Sequence, residues 1–143
     1  MIDTKTAPYA AFILRLALGT MFIAHGLMKV FVFTLPGTAQ FFAAVGFPGW
    51  TAYPVPALEI AGGLLLVAGV YSRVVAAGLI PVLIGAATVH LGNGWVFSAP
   101  NGGWEYPVFL VVIAAVVALL GDGAYALKPV ALRTSPAGSV RLA

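Results

Sequence analysis

The chain has 143 residues, of which 62% are hydrophobic and only 8% charged, and its net charge is +3. Seven Lys and Arg, four Asp and Glu and two His are too few to clothe a soluble domain of this size, and so apolar a composition excludes a disordered chain. The cations are scattered and form no basic patch for nucleic acid, and the absence of cysteine excludes disulfides and thiol redox chemistry within this chain.

Four apolar segments are each near the length that crosses about 30 Å of hydrocarbon. The first covers residues 8–30, with Pro8 suited to a first helical turn. Lys5 precedes it as in a signal peptide, but the run is too long and contains Arg15, so it reads as a retained span. Leu14 to Lys29 is unusual within it. Arg15, His25 and Lys29 share one half of a helix surface with Gly19, Phe22 and Gly26. Ionisable groups are costly in hydrocarbon and normally face protein or a watery cavity.

The connection that follows is long. Thr38 to Val45 is apolar and helical in pattern, too short to span, and broken by Gly46-Phe-Pro-Gly-Trp50. That predicts an interfacial or partly re-entrant helix. The second span covers 54–70 and the third 73–91, and the short Tyr71-Ser-Arg73 turn makes them an antiparallel hairpin. Pro81 should kink the third span. The fourth covers 104–120 and ends at Gly121-Asp-Gly123.

Glycines recur at intervals of seven: Gly19 and Gly26, Gly62 and Gly69, then Gly78, Gly85 and Gly92. This spacing keeps small residues on one helix face and predicts close helix packing at all three stripes. The expected architecture is all-α: an integral membrane four-helix bundle over residues 1–128, with a mobile cytoplasmic tail at 129–143. Four spans put Lys5, Arg73, Lys128, Arg133 and Arg141 on one side, so the positive-inside rule places both termini in the cytoplasm. The expected location is a bacterial-type inner membrane, with the lipid bilayer as the first partner.

His25, Lys29, Glu59, His90 and Glu105 come from all four spans and fall in the outer portion of this bundle. Trp104 and Tyr106 lie at the same boundary. The bland readings are a structural Glu59 pair with Lys29 or a His, a favourable Glu105 charge at a helix N-terminus, and an aromatic belt. Arg15, Arg73 and Asp122 read as structural charges, with Arg15 on helix-end carbonyls or Asp122. No His or carboxylate pair has tight ligand spacing, so the sequence points to no metal site. A quinone suits the outer cluster better: its carbonyls accept hydrogen bonds from Lys or His, its ring stacks on aromatics, and its reduction consumes protons.

As an ordered set these residues resemble the DoxX family of small four-helix membrane proteins. The resemblance runs through Arg15-Leu-Ala-Leu-Gly19, His25-Gly-Leu-Met-Lys29, Gly46-Phe-Pro48, Glu59-Ile-Ala-Gly-Gly63, Arg73, His90 and Gly102-Gly-Trp-Glu-Tyr-Pro107. It implies a link to quinones, since the family is named for a subunit of a thiosulfate:quinone oxidoreductase. It marks Arg15, His25, Lys29, Glu59, His90 and Glu105 as the family's polar positions without making any of them catalytic. The sequence has no flavin, haem or nucleotide motif, so electrons would need a partner oxidoreductase subunit or a bound quinone.

Three functions therefore stand open. One is a quinone-interacting subunit, with His25, Lys29 and Glu59 on the head group and Trp104 and Tyr106 as walls. The second is a small-solute or proton transporter, which would need a homo-oligomer. The third is a non-catalytic assembly factor that docks a partner through the long outer loop.

Overall fold

A computed structural model describes residues 3–127. Lys128 and the tail expected at 129–143 lie outside the described residues. The described residues form five α-helices and no strand: α1 (Ala7–Leu27), α2 (Leu35–Ala44), α3 (Pro54–Ala68), α4 (Ser72–His90) and α5 (Glu105–Leu120). Three stretches are long and apolar enough to cross a membrane: Ala7–Val32, Gly49–Ala68 and Ser72–Asn93. The fourth expected span, α5, has 16 residues and a length of about 24 Å, short of the hydrocarbon thickness. The reason is the Gly92–Gly103 connection, which keeps its irregular course up to Trp104.

α1 packs most closely on α3, and α4 on α5. The first pairing is built on glycine. A methyl group at Gly19 would lie 2.7 Å from the Gly63 carbonyl oxygen, and one at Gly26 would lie 2.6 Å from Ile60. These backbones touch because no side chain keeps them apart. Leu18, Phe22, Leu66, Leu79, Leu83, Leu110, Ala114 and Val117 fill the core between the pairs.

The third glycine stripe behaves differently from the sequence expectation. A methyl at Gly78 or Gly92 would meet nothing within 4 Å, and one at Gly85 would meet only Phe47. The interval of seven puts residues on one face, and here that face of α4 points out of the bundle.

The helix ends follow local chemistry. Gly69, at φ +68°, ends α3, with Val70 N–H on the Leu65 carbonyl and Gly69 N–H on the Leu66 carbonyl. Past Leu27 the chain widens into a π-helical turn, Met28–Val32, with Phe33 N–H donating to the Met28 carbonyl. Thr34 then caps α2, accepting from Gly37 N–H, and the buried Thr38 hydroxyl donates to the Lys29 carbonyl at 3.0 Å. That bond ties the short helix back onto the end of α1.

Candidate functional site

The polar residues divide between the two ends of the bundle. Arg15 is wholly buried. Its Nε donates to the Asp122 carbonyl at 2.8 Å, and its terminal nitrogens donate to the carbonyls of Leu66 (2.9 Å), Val67 and Ala124 (2.9 Å). Two of these acceptors are last-turn carbonyls of α3, at the negative end of the helix dipole; the Leu66 oxygen accepts from Gly69 N–H as well. The guanidinium also lies 4.9 Å from the centre of the Phe12 ring. Asp122 Oδ1 accepts from Ser72 N–H at 2.7 Å, capping the first turn of α4. Arg73 donates to the Leu120 carbonyl at 3.3 Å. The segment after α5 is bound here too, through Ala124 N–H on the Pro8 carbonyl and Leu127 N–H on the Ala68 carbonyl.

At the opposite end the five ionisable residues separate into three groups. Lys29 Nζ donates to both carboxylate oxygens of Glu59, each at 2.8 Å. Glu59 is 5% exposed, and the ammonium supplies the partner that a buried carboxyl group needs there. Gly26 makes the pairing geometrically possible, because a methyl on it would lie 3.2 Å from Glu59 Cβ.

His90 and Glu105 hold the connection before α5. His90 Nδ1 meets the carbonyls of Asn101 (3.1 Å) and Gly102 (3.0 Å), joined there by the Asn93 amide. Glu105 accepts from Phe97 N–H at 2.7 Å. Trp104 stands edge-on to Trp95, ring centres 4.5 Å apart.

His25 turns toward α5. Its ring stacks on Tyr106, with centres 6.3 Å apart and planes inclined by 27°. Nδ1 lies 2.9 Å from the Met21 carbonyl. A carbonyl only accepts, so Nδ1 carries the hydrogen and Nε2 is the free nitrogen of the neutral ring. Both rings border a groove of about 650 Å³ along α1, lined also by Ile13, Leu16, Ala17, Thr20, Met21 and Ala24. Among the described residues His25 Nε2, Tyr106 Oη and the Thr20 hydroxyl make no hydrogen bond.

The groove therefore joins His25 and Tyr106 and leaves out Lys29, Glu59, His90, Trp104 and Glu105. Among the described residues no three His, Asp or Glu side chains gather as a metal site would need. Thr20 and the small residues around it were not singled out in the sequence, where attention falls on the half of α1 that carries charge. The signal available was Thr20 itself, a lone hydroxyl in an apolar stretch on the face away from Gly19 and Gly26.

The DoxX family model matches residues 10–91, more than half of the chain. The chain belongs to the DoxX family. Arg15, His25, Lys29, Glu59 and His90 fall within the matched part of this DoxX protein, whereas Glu105, Tyr106 and Asp122 lie beyond it. A relative from Bacillus subtilis (strain 168), named "Putative oxidoreductase CatD", is 33% identical over 138 residues, covering 95% of this chain and 97% of the relative. No solved structure matches the DoxX chain.

Proposed function

We propose that this DoxX-family membrane protein is a quinone-interacting subunit of a membrane oxidoreductase system, with the quinone bound as substrate at the His25–Tyr106 groove. The observation that carries the reading is the pairing of two stacked rings, each with an unpartnered polar atom, at the head of an apolar groove inside a span. In hydrocarbon an unpartnered polar group costs several kcal/mol, so these atoms call for a polar ligand: the Tyr106 hydroxyl donates to an acceptor, and His25 Nε2 does so whenever it holds a proton. A quinone has an acceptor at each of two opposite edges. His25 and Tyr106 stand at one end of the groove, and Thr20 lies about 7.5 Å inward along the helix axis.

The chemistry required of this chain is proton delivery. Reduction of a quinone to a quinol takes two electrons and two protons. His25 relays both protons in turn: each time Nε2 takes up a proton it donates Nε2–H to a carbonyl oxygen as that oxygen gains electron density, and the ring returns to its neutral form with Nδ1–H on the Met21 carbonyl. The Tyr106 hydroxyl donates beside it. Electrons enter from a partner subunit, consistent with the oxidoreductase name of the Bacillus relative. Lys29 and Glu59 serve this site indirectly, fixing the end of α1 against α3. The positive-inside rule sets the Arg15 end in the cytoplasm of a bacterial-type inner membrane and the quinone head near the outer face.

The test is quinone titration of the purified protein in lipid nanodiscs. His25→Leu and Tyr106→Phe should each weaken binding, by up to about tenfold, in line with one hydrogen bond lost in each. Unchanged affinity in both variants would remove the site.

A further inference from the structure

The lining of the groove constrains its ligand beyond the head group. Its α1 residues run from Ile13 to His25, a rise of about 18 Å, which is more than half the hydrocarbon thickness. Ala17, Thr20 and Ala24 form a low floor, flanked by the larger Leu16, Met21 and Ile13. Ile13, Ala17, Thr20 and Ala24 are all exposed on the bundle surface, so the trough opens sideways into lipid. The polar atoms gather toward one end, and below Thr20 every lining side chain is apolar.

We propose that the groove holds the apolar tail of the quinone, running inward along α1 from His25 to Ile13. The inference rests on the quinone reading and adds the class of quinone: a long-tailed, lipid-borne one that enters sideways. A water-soluble ligand would be mismatched, because the lower trough offers it no polar contact and no aqueous entrance. The tail gains little hydrophobic free energy by moving from lipid into an apolar trough, since both are equally dry. Its contribution is close packing and orientation. A tail lying along the trough fixes the azimuth of the ring, so that a carbonyl faces His25 Nε2 instead of rotating freely.

The experiment uses the whole protein in nanodiscs and two photoreactive benzoquinones, one with a diazirine beside the ring and one with it at the tail end. A third probe is a phosphatidylcholine with a diazirine in its acyl chain. The ring-side probe should label the Met21–Tyr106 region, and the tail-end probe Ile13 and Leu16. Both patterns should be lost in His25→Leu, and Ala17→Phe should drive the tail-end label off Ile13 and Leu16. Ring-side labelling with tail-end label spread over other helices would overturn the tail groove and leave the head-group site standing. Absence of both would overturn the head-group reading as well. If the phospholipid probe labels Ile13 and Leu16 equally and excess quinone does not displace it, the trough takes bilayer lipid and the proposal fails. Cross-linked dimers through α1 would assign it to a second copy and also overturn the proposal.

Discussion

The Arg15 end and the Lys29 end of this bundle use ionisable residues in opposite ways. At the first, one guanidinium and one carboxylate tie the four long helices together: α1 carries Arg15, α3 supplies two carbonyls, α4 is capped by Asp122, and α5 leads directly into the segment that holds Asp122. Charge there is answered mainly by backbone, at short range, and among the described residues the buried polar side-chain atom it leaves unpartnered is the Ser72 hydroxyl. At the second, charge is divided among local partners. Lys29 and Glu59 join α1 to α3, while His90 and Glu105 hold the connection before α5. What is left over is the stacked pair of His25 and Tyr106, facing lipid. A saturated polar centre makes a rigid end, and a divided one leaves groups available for chemistry.

Breaking the saturated end should have the largest effect. Arg15→Met removes four hydrogen bonds from carbonyls at the buried end of the bundle, of which the Leu66 oxygen keeps only Gly69 N–H. The expected loss is about 3–5 kcal/mol, read as a collapse of folded, monodisperse protein in detergent and a sharply lowered melting temperature. Arg15→Lys should recover only part of this, because one ammonium cannot reach four carbonyls arranged for a planar fork.

The glycine stripes sharpen the comparison within a single residue type. Gly19→Val drives a side chain into the Gly63 carbonyl and should cost about 1–3 kcal/mol. Gly78→Ala meets open space and should be neutral or slightly stabilising, since alanine is the better helix former. Thermal unfolding of the two variants, side by side, checks both. Equal destabilisation would mean that the outward face of α4 is packed in the membrane.

This contrast marks what the sequence disclosed. Apolar length and the punctuation at Pro8, Pro54, Gly69 and Gly121 located four long helices to within a few residues, because those signals are local. The all-α bundle and the DoxX family membership were legible for the same reason. The glycine interval was read correctly as a face, but the direction of that face depends on how α3, α4 and α5 pack, which no local pattern states. The outer cluster failed to assemble for a related reason. A common depth in the membrane follows from residue counting, whereas azimuth depends on tertiary packing. His25 lies on α1, whereas Lys29, four residues on, lies inside the π-helical turn that starts at Met28. One therefore faces Tyr106 and the other Glu59.

At the divided end, the Lys29–Glu59 pair gives a smaller and more informative effect. Glu59→Gln leaves a half-buried ammonium facing an amide, and Lys29→Met leaves a buried carboxylate with no cation. The double variant should destabilise by less than the sum of the two single losses, with a coupling of about 1–2 kcal/mol in a double-mutant cycle. Additive losses would show that the two side chains act independently, and the pair would then not be what holds α1 on α3 at this end.

The smallest loss at the divided end should come from His90. Its ring bonds only to loop carbonyls, so His90→Ala releases the Asn101–Gly102 corner while Glu105 still holds Phe97. A loss of about 1 kcal/mol or less is expected, too little to shift global melting clearly. Hydrogen exchange gives the sharper readout: residues 92–103 should exchange faster while α1, α3 and the Arg15 centre keep their protection. The comparison depends on that separation. If loosening the loop also deprotected the Arg15 end, the two ends would be one cooperative unit, and His25 and Tyr106 could not shift toward a ligand without disturbing the buried guanidinium.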